Sequence, residues 1–272
     1  MKVGLDSYTY IGQLRSKEWG LGDLLRHTAM LRLDELQIMQ DLFETLGLPD
    51  LEMILKTRAY LEKNRIGAVF DLGGPACDKT GRWIKSAIES LELAELLGAK
   101  VIRIVPGASR DESKQSQINL AVRNLKKVMD AAESYGMVFG IENHDALPHV
   151  ADVKKIVEGV DSKYLGLTLD TGNMYQWDGP PGKGEDPVEA TELAASHIVA
   201  THIRDMVYDE ETHRWHCIAC GDGTVNFPAI AEILKKAGYM GSMAQEFLGI
   251  KGGDPTEREA AIQKGTEYLR QL

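Results

Sequence analysis

The sequence has few cysteines and no long apolar run. Three of its 272 residues are cysteines, a small and odd number that suits a reducing compartment better than a disulfide framework. No apolar stretch approaches the roughly 18 residues that suggest a membrane span, and no charged-then-apolar leader precedes the first strand-like run at Val3. We therefore expect a cytoplasmic protein without a membrane partner.

Positive charge is scarce as well. The chain has 31 Lys and Arg residues against 41 Asp and Glu residues, which gives a formal net charge of −10. This balance argues against a general nucleic-acid-binding surface and leaves room for a small substrate held by a few local cations. No glycine-rich dinucleotide or phosphate-binding motif follows a strand-like run, which weakens the case for nucleotide-binding folds. We expect a small-molecule substrate and no nucleic acid, and the sequence leaves a homo-oligomer open.

The chain also lacks a linker, and apolar segments of period two alternate with segments of period 3.6 throughout. This alternation predicts one domain over residues 1–272, an α/β fold in which eight strand–helix pairs close into a (β/α)8 TIM barrel. Functional residues of such barrels lie at the carboxyl ends of the strands. The predicted strands begin near Val3, Glu35, Ile66, Val101, Met137, Leu165, Ile198 and Met240. The predicted helices cover about residues 19–33, 50–64, 81–98, 112–135, 149–159, 186–196, 226–237 and 254–271.

Each of the last four predicted strands ends in a side chain that binds metal ions. These side chains are Glu142, Asp170, His202 and Glu246. Counting back by twos from each gives mostly small residues, such as Gly140 and Ala200, whereas the intervening residues are mostly bulky. Because side chains alternate across a strand, all four would face the barrel interior at its C-terminal rim. Three carboxylates and one imidazole favour Mn²⁺ or Mg²⁺, with Co²⁺, Zn²⁺ or Fe²⁺ as further occupants.

The motifs around these side chains resemble one family. The segments IENH, LDTGN, THIRD, GDGTVNF and AQEF are similar, in this order, to those of the xylose-isomerase-like TIM-barrel superfamily, most specifically over residues 136–250. This superfamily includes ketose 3-epimerases, inosose dehydratases and apurinic-site endonucleases. The resemblance implies a sugar isomerase or epimerase that acts on a ketose or related small polyol through an enediolate. It also implies one divalent metal ion on Glu142, Asp170, His202 and Glu246, with Glu142 and Glu246 as the catalytic acid–base pair.

The sequence departs from this family at informative positions. The epimerases often place a histidine three residues after the strand-six Asp and a glutamate six residues after the strand-five Glu, where this chain has Asn173 and Pro148. We therefore expect the same metal with a different grip on the sugar. The early strands lack the histidines of a three-metal endonuclease cluster. A lyase or dehydratase acting on an inosose or 3-keto-sugar stays open, because it begins with the same proton abstraction, as does a catalytically idle barrel that only binds.

Several residues near the strand ends are candidates for contacting the sugar. His144 follows Glu142 by two positions on the same face, and Arg103 is a cation in an apolar strand, where it needs a carboxylate partner. With only scattered cations such as Arg103 and Arg204, we expect an unphosphorylated substrate. The substrate-binding candidates are His144, Arg103, Asn173, Trp177 and His216.

Residues 213–220 read HRWHCIAC and bring two histidines and two cysteines together. A Cys-x-x-Cys pair is often half of a zinc site or a redox pair, but no second half follows at the spacing of zinc modules. Alternation around a polar tip at residues 209–212 predicts a β-hairpin over about 206–220 instead. As a lid, this hairpin would lower Trp215 or His216 towards the substrate.

Overall fold

Eight parallel strands form the centre of the protein. The computed structural model describes residues 1–45, 48–107, 112–176, 180–182, 184–248 and 255–272. The strands are β1 (Lys2–Asp6), β2 (Glu35–Met39), β3 (Gly67–Gly73), β4 (Val101–Ile104), β5 (Val138–Glu142), β6 (Leu165–Asp170), β7 (Ile198–His202) and β8 (Ser242–Gln245). Each strand from β1 to β6 pairs with the next in sequence, and β8 pairs with β1. A parallel bridge between Ile203 and Gln245 joins β7 to β8. The predicted TIM barrel is confirmed.

Helices connect the strands and cover the outside of the barrel. They are α1 (Ile11–Arg15), α2 (Leu21–Met30), α3 (Leu51–Asn64), α4 (Arg82–Leu97), α5 (Lys114–Lys126), α6 (Met129–Tyr135), α7 (Val150–Val160), α8 (Asn173–Gln176), α9 (Pro187–Ala194), α10 (Phe227–Lys236) and α11 (Pro255–Leu269). Among the described residues, no helix combines the length and the apolar character needed to cross a membrane.

The helix predicted over 112–135 is divided into α5 and α6. At the division the backbone N–H groups of Lys127 and Val128 donate to carbonyls three residues earlier, at 3.1 and 2.9 Å. Such i to i−3 bonds tighten the turn and end an α-helix. Just before it, the Asn124 side chain donates to the carbonyl oxygens of Ala76 and Asp78. The sequence period alone does not reveal this break, because both helices keep their apolar faces towards the core.

Small residues line the barrel interior, and the strands lie so close around it that larger side chains would not fit at these positions. A Cβ atom added to Gly140 would lie 2.5 Å from Thr168 Oγ1, and one added to Gly166 would lie 2.4 Å from Val199 Cγ1. Alternate residues of the same strands, such as Phe139, are fully buried in the hydrophobic core. The tight interior positions the rim residues, because these strands have no room to shift inward.

After β7 the chain forms a hairpin from Asp205–Asp209 and Arg214–Ile218. The Asp205 carboxylate anchors the loop that follows it. Its Oδ2 accepts from the backbone N–H groups of Gly221 and Gly223, both at 2.8 Å, and its Oδ1 accepts from that of Val225 at 3.1 Å. A Cβ atom at Gly223 would lie 2.2 Å from Asp205 Oδ1. The glycine is therefore required by the close approach of this carboxylate.

Candidate active site

The four predicted ligands lie together at the carboxyl end of the barrel. Glu142, Asp170 and His202 are the last residues of β5, β6 and β7, and one ligand atom from each lies within 4.8 Å of the others. Glu246 directly follows β8, and its Oε2 lies 3.8 Å from Nδ1 of His202. All four side chains are buried. The strand ends thus collect three carboxylates around one imidazole.

The two ring nitrogens of His202 have different surroundings. Nδ1 lies 3.4 Å from Glu142 Oε1 and 4.0 Å from Asp170 Oδ2, and it is buried without a hydrogen-bond partner. A buried polar atom without a partner costs about 1–3 kcal/mol. A cation among these groups would accept the nitrogen lone pair and the carboxylate oxygens together. The residues at this point therefore fit a divalent metal ion.

Arg103 and Asn173 hold Glu142 from two sides. Nε and Nη2 of Arg103 contact Glu142 Oε2, and Nη1 donates to Asp71 Oδ1 at 3.0 Å. Asn173 Nδ2 donates to Glu142 Oε1 at 3.0 Å. Both oxygens of Glu142 are thus engaged. The structure places these two predicted substrate-binding residues against the carboxylate of a predicted ligand.

Arg204 makes the matching contacts with the other two carboxylates. Its Nη2 donates to Asp170 Oδ2 at 2.6 Å and its Nε to Asp170 Oδ1 at 3.1 Å, and Nε lies 3.3 Å from Glu246 Oε2. Arg204 is one of the largest fully buried side chains of the described chain. Sequence reasoning named Arg204 only as a scattered cation and did not place it beside the predicted ligands. Its position two residues after His202, on the same face of an extended segment, was the available signal.

The acidic groups of this cluster outnumber the basic ones. Five carboxyl groups are buried around two guanidinium groups and one imidazole; the carboxyl groups are those of Asp6, Asp71, Glu142, Asp170 and Glu246. Burial raises the pKa of Glu246 to about 7, although Arg204 opposes this. Burial would lower the pKa of His202, but Glu142 and Asp6 raise it well above its usual value. Without a cation, the cluster therefore retains protons that a divalent ion would displace.

Glu142 behaves differently from Glu246. Burial would raise the pKa of Glu142, but Arg103 and His202 hold it well below its usual range. The two glutamates are therefore not equivalent, because Glu142 is a fixed anion, whereas Glu246 exchanges a proton near neutral pH. This asymmetry bears on which of them moves a proton during a reaction.

Other predicted substrate residues lie at varied positions. His144 Nδ1 lies 3.0 Å from Asp145 Oδ1. Burial would lower the pKa of this imidazole, but Asp145 and, after it, Glu142 raise it above its usual value. His216 Nε2 lies 3.4 Å from Thr212 Oγ1 and 3.5 Å from Asp209 Oδ2, at the hairpin tip. Trp177 lies outside the described residues. His144 is thus near the cluster, whereas the contacts of His216 are with its own hairpin.

The HRWHCIAC segment does not form a metal group in the part of the chain that the structure describes. Among the described residues, the only group of side chains that could hold an ion is formed by Glu142, Asp170 and His202. Cys217 and Cys220 are buried thiols, and burial raises the pKa of the Cys220 thiol well above its usual value. A protonated, buried thiol is a poor nucleophile and a poor ligand.

A cleft of about 340 Å³ adjoins the cluster on the side of the first four strands. Arg103 and Asp71 form its boundary with the cluster, and the half-exposed ring of Tyr8 lines it. The remaining polar side chains of its wall are Gln40, Asp41 and Glu44. The wall is thus rich in hydrogen-bond acceptors and has one cation, which is already paired.

Comparison with known proteins decides the family. A family described as "Xylose isomerase-like TIM barrel" matches residues 32–272. The chain belongs to this family. The resemblance predicted from the sequence motifs is confirmed.

Three known members of this fold illustrate the similarity. The 3-oxo-isoapionate decarboxylase of Pectobacterium atrosepticum is 28% identical over 214 residues, which are 76% of this chain and 70% of that protein. The 3-keto-D-glucoside 4-epimerase of E. coli is 18% identical with a TM-score of 0.73, and the similarity covers 100% of both chains. The IOLI protein with a bound zinc atom is 19% identical with a TM-score of 0.74, covering 98% of this chain and 96% of that one. At these identities the two solved structures show a shared fold.

Proposed function

We propose that the chain is a divalent-metal-dependent isomerase or epimerase that acts on a small keto-sugar or related polyol through an enediolate. The observation that carries this proposal is the unpartnered, buried Nδ1 of His202 among the carboxylates of Glu142, Asp170 and Glu246. These four residues would hold the ion. When bound, the ion would polarise a substrate carbonyl and stabilise the negative charge of the enediolate. The oxygen-rich ligand set favours Mn²⁺ or Mg²⁺.

The two glutamates are the proposed proton carriers. Glu246 is the less restrained of the two, because among the described residues its carboxylate contacts only the Nε of Arg204, at 3.3 Å, and Nδ1 of His202, at 3.8 Å. Glu142 can transfer a proton only if Arg103 or Asn173 releases the Glu142 oxygen that it contacts. In this proposal Glu246 removes the proton next to the carbonyl. The opposite face receives a proton from a residue at the mouth such as His144, or from Glu142 once Arg103 has released it and it has taken up a proton from water.

The substrate proposed for this site is neutral and unphosphorylated. The acidic side chains of Asp41, Glu44 and Asp71 in the adjoining cleft would repel a phosphate, whereas they accept hydrogen bonds from sugar hydroxyl groups. The single cation of this cleft, Arg103, is engaged by two carboxylates. The ring of Tyr8 offers an apolar face to a sugar.

A lyase is the second candidate, and the asymmetry of the two glutamates favours it. In a decarboxylation, the bond to the carboxyl carbon breaks and CO₂ leaves. The electron pair of the broken bond stays on the substrate and forms the enediolate. One acid, Glu246, then protonates the carbon, and Glu142 has no proton to move. The relative that is 28% identical over 214 residues is a decarboxylase. A 3-oxo acid would enter as an anion, which the acidic cleft disfavours, so we place this reaction second.

One experiment separates these reactions. The Mg²⁺-loaded enzyme is incubated in D₂O with ketoses, inososes, keto-glycosides and 3-oxo sugar acids, and NMR follows the carbon next to the carbonyl. We expect deuterium at that carbon and formation of an isomer of the substrate. After the metal is removed with a chelator, we expect neither the exchange nor the isomer. Release of CO₂ from a 3-oxo acid, without earlier deuterium exchange into that acid, would establish the lyase instead. Metal binding without exchange or turnover of any compound would indicate a barrel that only binds.

A further inference from the structure

We infer that Asp6 and Gln37 are positioning residues that select which nitrogen of His202 faces the metal. This inference rests on the metal site of the proposed function. Neither residue belongs to the proposed ligand set, and both lie on strands, β1 and β2, that supply no ligand. Both side chains are buried, with 1% and 0% of their surface exposed.

The selection follows from two oxygens that face one nitrogen. His202 Nε2 makes a hydrogen bond of 2.9 Å with Gln37 Oε1, and Asp6 Oδ2 lies 2.9 Å from the same nitrogen as an ion-pair contact without hydrogen-bond alignment. The oxygen of Gln37 is the atom facing the ring, because its Nε2 donates to the Thr201 carbonyl at 3.1 Å. The other oxygen of Asp6 accepts from the backbone N–H of Tyr8. Each acceptor is therefore held in place by a second bond.

The amide oxygen that bonds Nε2 and the negative charge of Asp6 beside it both favour a proton on this nitrogen. The neutral imidazole then has its lone pair on Nδ1, which is the atom without a hydrogen-bond partner among the carboxylates. A proton on Nδ1 would instead leave Nε2 without a hydrogen for either acceptor and would block the cation. The first two strands thus prepare the ligand atom of the seventh strand across the barrel.

Substitutions of Asp6 and Gln37 test whether a hydrogen-bond acceptor must face Nε2 of His202. Asp6→Asn keeps the shape and the acceptor for Tyr8, but it turns an amide N–H towards Nε2, which favours the proton on Nδ1. Gln37→Leu removes one acceptor, and Gln37→Glu keeps it. Gln245→Leu is the matched control, because Gln245 is a buried amide of β8 whose side chain donates to Thr266 at 2.8 Å and to the Ile262 carbonyl at 3.4 Å, on the helix side of the strand.

Metal affinity and the state of the ring are measured on the full chain. Zn²⁺ affinity is determined by competition with a chelator, and ¹⁵N NMR of the Zn²⁺-loaded protein assigns the protonated nitrogen of His202. We expect Asp6→Asn and Gln37→Leu to bind Zn²⁺ about 10–100-fold more weakly. Gln37→Glu should stay within roughly threefold of the wild type, Gln245→Leu should be unchanged, and the wild-type ring should carry its proton on Nε2.

Three results would overturn the inference. One is wild-type affinity in both Asp6→Asn and Gln37→Leu, and another is an equal loss in Gln245→Leu, which would indicate a general packing effect. The third is an Nε2 without a proton in the loaded wild type. If Asp6→Asn does not fold, the comparison of Gln37→Leu with Gln37→Glu decides. A wild type that binds no divalent ion would instead refute the metal site of the proposed function, and the inference with it.

Discussion

Arg103 and Glu142 form a buried ion pair in which two nitrogens of the guanidinium contact one carboxylate oxygen. The pair joins β4 to β5, and the third nitrogen extends the contact to Asp71 on β3. The same guanidinium thus neutralises a proposed metal ligand and forms the boundary of the adjoining cleft. Removing either charge leaves the other buried without its partner.

Replacing Arg103 by Leu should destabilise the metal-free protein. Two buried carboxylates would lose their cation, and breaking a buried pair from one side typically lowers the free energy of unfolding by about 3–5 kcal/mol. Urea unfolding of the metal-free protein measures this change. The control is Arg58→Leu, whose exposed pair with Glu62 should contribute under about 1 kcal/mol. Equal effects of the two substitutions would contradict the prediction.

Replacing either glutamate by Gln should separate proton transfer from metal binding. Glu246→Gln keeps an oxygen for the metal but removes a basic carboxylate, so turnover should fall by roughly 10²–10⁴. Glu142→Gln should cause a comparable loss if both glutamates move protons, and Asp170→Asn should act mainly through weaker metal binding. The measurement is turnover with deuterium exchange at saturating metal, where excess metal should partly rescue Asp170→Asn alone. Near-normal exchange in both Gln variants would leave neither glutamate as the base.

Metal binding should release protons, and the number should depend on pH. The pKa of Glu246 is about 7 and that of His202 lies well above its usual value, so at pH 6.5 both groups hold protons that a cation displaces. At pH 8.5 Glu246 is already ionised, and about one fewer proton should be released per ion. Affinity should therefore rise as the pH rises through 7. Calorimetry in two buffers of different ionisation enthalpy counts the protons.

The variant Glu246→Gln provides the control for this count. It has no carboxyl proton at that position, so its proton release at pH 6.5 and pH 8.5 should differ by less than in the wild type. Proton release that is identical at both pH values in the wild type would show that Glu246 does not titrate between them.

Asp205→Ala should loosen the loop that follows the hairpin. Three backbone N–H groups of residues 221–225 would lose a buried carboxylate acceptor, and each group left without a partner costs about 1–3 kcal/mol. Hydrogen exchange of these amides should accelerate, whereas exchange in β1 should not. Asp222→Ala serves as the control, because its exposed carboxylate pairs with Lys264 at the surface. Unchanged exchange in Asp205→Ala would show that the loop holds its shape without this carboxylate.

The rim of the barrel was accessible from the sequence, whereas its hydrogen bonds were not. Period-two alternation placed Glu142 and Asp170 at the ends of their strands, because strand geometry links parity to the face of the sheet. The roles of Asp6 and Gln37 depend on which side chains meet across the barrel, and these positions lie 196 and 165 residues from His202 in the chain. Local pattern carries no information about such a meeting. The division of α5 from α6 escaped prediction for the related reason that tertiary hydrogen bonds accompany it.

The Arg204 guanidinium sits between the carboxylates of Asp170 and Glu246 and contacts both. Because Arg204 binds both carboxylates, they cannot rotate so that all four of their oxygens coordinate one ion. Calcium usually takes six to eight oxygen ligands in a flexible cage, whereas magnesium requires six at shorter range in a strict octahedron. We therefore expect the barrel to discriminate against the larger ion by restricting the number of oxygens it can present.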